Sequence, residues 1–348
     1  MAGEGFEPIV VLAEDGPLRG DLEGAGIEVH VRPLAVMRRS LMSPGGMARV
    51  AAAYAADAGG LGRLARTRGV ALVHTNTSVT LGGSAAARIA GVPHVWHVRE
   101  IYAGFERWWP AYRRLLVTAD ALPCVSAATA AQFDGGPSAQ VRVLHDGLAV
   151  RHDRAPRDEA RAALDLPPDA RVVAVLGRIS VWKGQDVLIQ ALAHPRLEGT
   201  LALVCGAPWP GEERRERELR ELAARLGLAE RVRFLGFRDD LDVVLGAADA
   251  VVVPSTHPDP LPNAAIEAAA AGCCVVAAAH GGLTEIVRDG ETGVLVEPGN
   301  PAALAAALAG LDAATADRLG AAAAADVTER FAPAALVRGA RDLYGGLL

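Results

Sequence analysis

The chain has 348 residues, 51% of them hydrophobic, and a formal net charge of −6. That length holds two domains of ordinary size with real cores, and the negative balance argues against a broad nucleic-acid-gripping surface. Four cysteines, Cys124, Cys205, Cys273 and Cys274, lie in apolar segments without CxxC spacing, so buried free thiols in a reducing compartment are expected rather than a disulfide or a metal site.

In chain order, short apolar runs predict strands at 8–12, 27–31, 70–74, 94–98, 121–125 and 140–144, with helices at 44–68, 81–91, 109–119 and 127–133 between them. The segment 145–169 turns polar and rich in Asp, Arg and Pro, which reads as a linker. A second series of strands follows at 171–176, 200–205, 231–235, 250–253, 273–278 and 293–296. Its helices are expected at 185–194, 212–226, 240–246, 262–271, 283–289 and 301–311, and two more, about 315–331 and 334–343, close the chain.

Such βα alternation predicts an α/β protein with two open parallel sheets, whose ligands sit at the carboxyl ends of the strands. The expected division is a first domain at 1–150, a second at 151–332, and a C-terminal helix at 333–348 that packs back toward the first. The longest apolar candidate for a membrane span, 264–279, is interrupted by Glu267, and the opening MAGEGFEP lacks the basic and apolar regions of a signal peptide. A cytoplasmic location is expected, with peripheral contact at the inner face of the cell membrane left open.

The most informative stretch is PSTHPDPLPNAAIEAAAAG at 254–272, which leaves an apolar strand, crosses a proline-rich loop and enters an alanine-rich helix. Asp259 ends the loop and Glu267 lies one turn into the helix, so two carboxylates can face one ligand. Between them Leu261, Pro262, Asn263 and Ala264 form a helix N-terminus, whose backbone N–H groups and positive partial charge suit a phosphate. Carboxylates for hydroxyls beside amides for phosphate suggest a nucleotide-sugar site. The plainer alternatives are Asp259 as a helix cap and Glu267 as a surface residue, but a lone Glu on so apolar a helix needs a partner.

Other loops add candidates. Gly177-Arg178 ends a strand, and Lys183 follows on the same loop; two cations there suit a diphosphate leaving group or are simply solvated. In Phe234-Leu235-Gly236-Phe237, Gly236 lets backbone approach a flat ligand or merely ends a strand. The pair Gly281-Gly282 opens toward another helix start, a second candidate anion or sugar cradle. In the first half, Asn76, with Thr77 and Ser78, follows a strand and reads as an acceptor-hydroxyl contact or ordinary turn chemistry; Arg99 and Glu100 join it as acceptor-side candidates. FERWWPAYRR at 105–114, with Arg38 and Arg39, reads either as a membrane-surface patch meeting a lipid-linked acceptor or as a core-edge helix start.

GRISVWKGQDVLIQAL, FLGF and the run from PSTHPDPLPN to VEPGNPAALAAAL together resemble the second domain of retaining glycosyltransferases of family 4, over about residues 171–308. GPLRGDLEGAGIEVHVRPL, VHTNTSVTLGGSAAARIAGVPHVWHVRE and VSAATAAQF resemble the same family's acceptor domain more loosely. The resemblance implies the GT-B fold, two Rossmann-like parallel-sheet domains facing across a cleft. It also implies that Glu267 holds the donor ribose hydroxyls and Asp259 contacts the sugar, where the family usually has Glu. Arg178 and Lys183 would bind the diphosphate, the backbone of Leu261, Pro262 and Asn263 would line the sugar and phosphate, and His97 would stand near the donor sugar. Family members normally open with a further strand, a glycine-rich turn and a long helix ahead of GFEPIVVLAEDGPL, so the first βα unit is expected to be missing from this sequence.

The expected activity is transfer of a sugar, with retention, from a UDP- or GDP-linked donor to an acceptor hydroxyl in cell-envelope polysaccharide, glycolipid or metabolite glycosylation. The resemblance implies that the departing phosphate helps deprotonate the acceptor. Neither a cofactor nor a metal is expected, because no DxD-like ligand pair stands in a convincing loop. The alternatives are a nucleotide-sugar epimerase of the same build and a non-catalytic donor-binding scaffold.

Overall fold

The computed structural model describes residues 5–38, 41–134, 140–148 and 153–348. The chain divides into two compact units, one of Met1–His145 with Leu336–Leu348, the other Asp146–Ala335. Each is built from parallel strands and crossover helices.

The first unit contains strands β1 (Ile9–Leu12), β2 (Glu28–Val31), β3 (Val73–Thr75), β4 (His94–Trp96), β5 (Ala121–Cys124) and β6 (Gln140–Val143). They fall into two sheets, a pair β1-β2 and a four-stranded sheet in the order β3-β4-β5-β6, all parallel. Among the described residues no strand joins β1 to β3. Strand β4 is fully buried, whereas every residue of β1 is only half-buried. Trp96, Val98, Leu116, Leu122 and Phe133 form the main core of this unit. A smaller core joins Val95 and Ala121 to Ala340, Leu343 and Tyr344 of the terminal helix Pro333–Gly345.

The second unit contains β7 (Val172–Leu176), β8 (Leu201–Cys205), β9 (Val232–Gly236), β10 (Ala250–Val253), β11 (Val275–Ala278) and β12 (Val294–Val296), in one sheet of order β12-β11-β10-β7-β8-β9. The runs VVAVL, AVVV and VVAA are buried along their whole length, as parallel strands covered by helices on both faces must be. Strand β7 pairs with β8 on one side and β10 on the other, so the strand order reverses there. The loops leaving β7 and β10 start at that point, which is where an open α/β sheet takes its ligands.

All twelve expected strands are present. Among the described residues, two α-helices were not expected. Pro17–Gly24 (PLRGDLEG) carries an interior glycine, Gly20, and ends on a second, Gly24, which weaken its pattern, with Pro17 placed in its first turn. Arg157–Ala163 lies inside the stretch read as a linker. It is tied down by Arg161, which is 1% exposed and bonds both Asp249 oxygens, at 3.3 and 3.1 Å. No described helix is long and apolar enough to cross a membrane. All four cysteines are free and buried; burial raises their thiol pKa values, Cys124 to about 12 and the other three to about 11, so they stay protonated.

Candidate functional site

The expected donor residues of the second unit gather at the carboxyl end of its sheet. Gly177 and Arg178 follow β7; Gly177 N–H donates to Cys205 O at 2.9 Å, and Ile179 N–H to Ala207 O at 3.2 Å. Gly206 N–H donates to Gly236 O at 2.8 Å, so the loops after β7, β8 and β9 are laced side by side. Phe237, directly after β9, is 77% exposed, with its ring free of the core. Arg178 is exposed, while its carbonyl accepts Gln185 Nε2 at 2.9 Å.

Lys183 reaches the other side of the reversal. Its Nζ lies 2.6 Å from Oδ2 of Asp259, which is 4% exposed. Gly184 makes this approach possible. Its φ is +71°, and a Cβ there would stand 1.9 Å from Pro254 O, so only glycine lets the two loops close. Thr256 N–H donates to Trp182 O at 2.8 Å and fastens them further.

Asp259 therefore does not cap the helix Asn263–Ala270. The residue before that helix is Pro262, and no side chain caps it. The first-turn N–H groups of such a helix have no intrahelical acceptor and keep their positive partial charge. Leu261 and Pro262 are buried and Asn263 is exposed. Glu267, on the same helix, is half-buried rather than sealed in, with neighbours Ile266 and Ala268 buried.

The pair Gly281-Gly282 is filled by protein. A Cβ on Gly281 would stand 2.4 Å from Asp259 O, one on Gly282 2.1 Å from Pro260 O, and Gly282 N–H donates to Asp259 O at 2.8 Å. The glycines hold the Asp259 loop in place, and the helix after them, Leu283–Ile286, is four residues long. This corrects the reading of that pair as a second cradle.

In the first unit, His97 follows β4 and is 3% exposed, and its Nε2 has no hydrogen-bond partner among the described residues. Burial lowers its pKa to about 3, aided by His74 and Arg99, against the Leu144 carbonyl, so the ring is neutral. Asn76 is exposed after β3. Glu100 is an internal staple: its carboxylate accepts the Ser78 N–H at 3.2 Å, the Arg99 N–H at 3.1 Å and the hydroxyls of Thr77 and Ser78. It fixes the loops after β3 and β4 to each other.

FERWWPAYRR lies at the edge of the core: Tyr112 is buried, Phe105, Trp109 and Arg113 are half-buried, and the remaining residues are exposed. Trp109 stacks on Tyr102 with ring centroids 4.8 Å apart, and Arg113 donates to the Asp134 carbonyl at 3.0 Å. Trp108 remains 50% exposed. Arg38 pairs with Glu14 at 3.3 Å, and Arg39 lies outside the described residues.

Two aromatic neighbours were missed from the sequence. Trp209 lies in the loop after β8, with the Arg178 Cζ 3.7 Å from its ring centre, and Trp182 lies 4.3 Å from the Lys183 Nζ. The available signal was APWPG, a proline-flanked tryptophan directly after an apolar strand.

Residues 1–147 match the glycosyl transferase 4-like domain, and residues 156–323 match glycosyl transferases group 1. A D-inositol 3-phosphate glycosyltransferase of Actinosynnema mirum is 40% identical over 248 residues, 68% of this chain and 58% of that protein. One of Salinispora tropica is 42% identical over 192 residues, 51% of this chain and 39% of that protein. The chain thus spans well under two thirds of these curated relatives. Among solved structures, Anabaena Alr3699/HepE in complex with UDP and glucose superposes with a TM-score of 0.80 at 29% identity, over 97% of this chain and 92% of that one.

Proposed function

Since this chain belongs to the glycosyl transferases of group 1, with the two parallel-sheet units of the GT-B class, we propose that it moves a sugar from a nucleoside-diphosphate donor to an acceptor hydroxyl. The observation that carries the reading is the convergence of Arg178, the Lys183–Asp259 pair and the start of the helix Asn263–Ala270 around the strand reversal at β7 and β10. Cations and helix N–H groups placed where a diphosphate leaves stabilise the charge that develops as the glycosidic bond to phosphate breaks.

In this reading Arg178 grips the diphosphate through its planar fork and Lys183 acts as a point charge. Glu267 accepts the ribose hydroxyls, and Phe237, free of the core, flanks the base. Asp259 orients Lys183 and meets the sugar. Transfer proceeds with retention, the departing phosphate taking the acceptor proton on the same face. No metal or cofactor is required, because the protein's own cations oppose the leaving charge.

HepE has been captured with UDP-glucose, which supports a UDP-linked donor. The inositol phosphate named for the curated relatives supports a small hydroxylated acceptor; lipid-linked and polysaccharide acceptors, met at the inner face of the membrane, belong to the same proposal.

A screen of UDP- and GDP-sugars tests it, read by thermal stabilisation and by slow donor hydrolysis. One nucleotide sugar should raise the midpoint and release nucleoside diphosphate. Release of an altered free sugar nucleotide would indicate an epimerase, and binding without any turnover a scaffold.

A further inference from the structure

We infer that Trp209 is a positioning residue for Arg178, holding its guanidinium in the orientation that receives a diphosphate; this rests on the proposed donor site. An exposed arginine has four rotatable bonds and loses considerable entropy when a ligand fixes it. Arg178 has no ion-pair partner among the described residues, unlike Lys183, which Asp259 holds. What restrains it is the indole face of Trp209, 3.7 Å from Cζ. The contact leaves the guanidinium edge, with its N–H donors, available to a ligand.

The indole is itself held. Trp209 sits between Pro208 and Pro210, which limits its backbone to extended geometry. Its carbonyl accepts the Glu212 N–H at 2.8 Å. Its loop begins at Gly206, whose φ is +142°; a Cβ there would stand 2.0 Å from Gly177 O, so only glycine lets this loop press against the one carrying Arg178. Ile179 N–H to Ala207 O closes the contact at 3.2 Å. Trp209 is nevertheless 53% exposed, so the core gains little from its ring. A large, rigid, half-exposed aromatic ring clamped over one cation is placed for that cation.

The test measures UDP, GDP and uridine binding by calorimetry for wild type, Trp209→Ala, Trp209→Phe, Arg178→Ala and the double variant Trp209→Ala with Arg178→Ala. Trp209→Ala should weaken diphosphate binding roughly fivefold, leave uridine binding and the melting midpoint unchanged, and be largely rescued by Trp209→Phe. In the Arg178→Ala background, removing Trp209 should cost nothing further. Wild-type diphosphate binding with full affinity in Trp209→Ala, or equal losses for UDP and uridine, overturns the role of Trp209 alone. Absence of diphosphate binding in the wild type overturns the donor site and this inference together.

Discussion

Lys183 and Asp259 stand 76 residues apart in sequence and 2.6 Å apart in space, with the carboxylate almost wholly buried. A buried carboxylate needs this partner, since removing one member of such a pair strands the other charge. In the proposed function, the pairing presents Lys183 to the diphosphate already oriented. Lys183→Ala should therefore cost stability as well as turnover, roughly 2–4 kcal/mol. Lys183→Met combined with Asp259→Leu should restore most of the stability and none of the turnover. Denaturant titration beside a donor-turnover assay checks both; a double variant as unstable as Lys183→Ala would show that the pair is not the cause.

Glu267 gives a cleaner separation of binding from folding. It is half-buried on a helix whose inward residues, Ala265, Ile266 and Ala268, carry the packing. Glu267→Ala should lower donor affinity by on the order of tenfold or more, the value of charge-assisted bonds to hydroxyls, with the fold intact. The loss should be smaller for a donor analogue lacking ribose hydroxyls. Wild-type affinity in this variant would remove Glu267 from the ribose site.

The strands were legible because parallel strands buried on both faces are continuous apolar runs, and VVAVL and AVVV announce themselves. The candidate site residues could be picked out one by one, because Arg178, Lys183 and Asp259 are polar side chains in loops that directly follow such runs. Their relationships were not. Nothing local pairs Lys183 with Asp259, brings Trp209 over Arg178, or turns Glu100 from an acceptor-side candidate into a staple between two loops. The helix Arg157–Ala163 was read as linker because its support is tertiary: Arg161 reaches Asp249, 88 residues away.

That support can be measured. Asp249 also pairs with Arg157 and accepts the Val172 N–H at 2.7 Å, so it ties the helix to the first residue of β7. Asp249→Ala should destabilise the second unit by roughly 3 kcal/mol, because Arg161 is left charged and buried. Asp249→Asn keeps an acceptor for Val172 and should cost less. Hydrogen exchange should show 157–163 losing protection before the central strands do; unchanged protection there would mean that the helix is held by its apolar contacts instead.

The first unit carries a different liability. His74, His94 and His97 lie on or beside β3 and β4, and burial is the largest cause lowering their pKa values, to about 4, 4 and 3. Nearby positive charge adds to it: Arg99 acts on His74 and His97, and His74 acts on both of the others. Asp120 opposes the shift at His94, as the Leu144 carbonyl does at His97. An unfolded histidine titrates near 6.5, so below that pH the unfolded chain binds protons that the folded unit refuses. The stabilisation is complete above about pH 6.5 and is lost progressively as the pH falls toward 4, on the order of a few kcal/mol for each ring. Exchange protection of β4 amides, corrected for the intrinsic rate, should therefore fall between pH 7 and pH 5. His94→Gln keeps a polar partner for Thr75, which now bonds His94 Nε2 at 2.9 Å, and should flatten part of that slope. Protection independent of pH across this window would mean that the three rings titrate as they do in water.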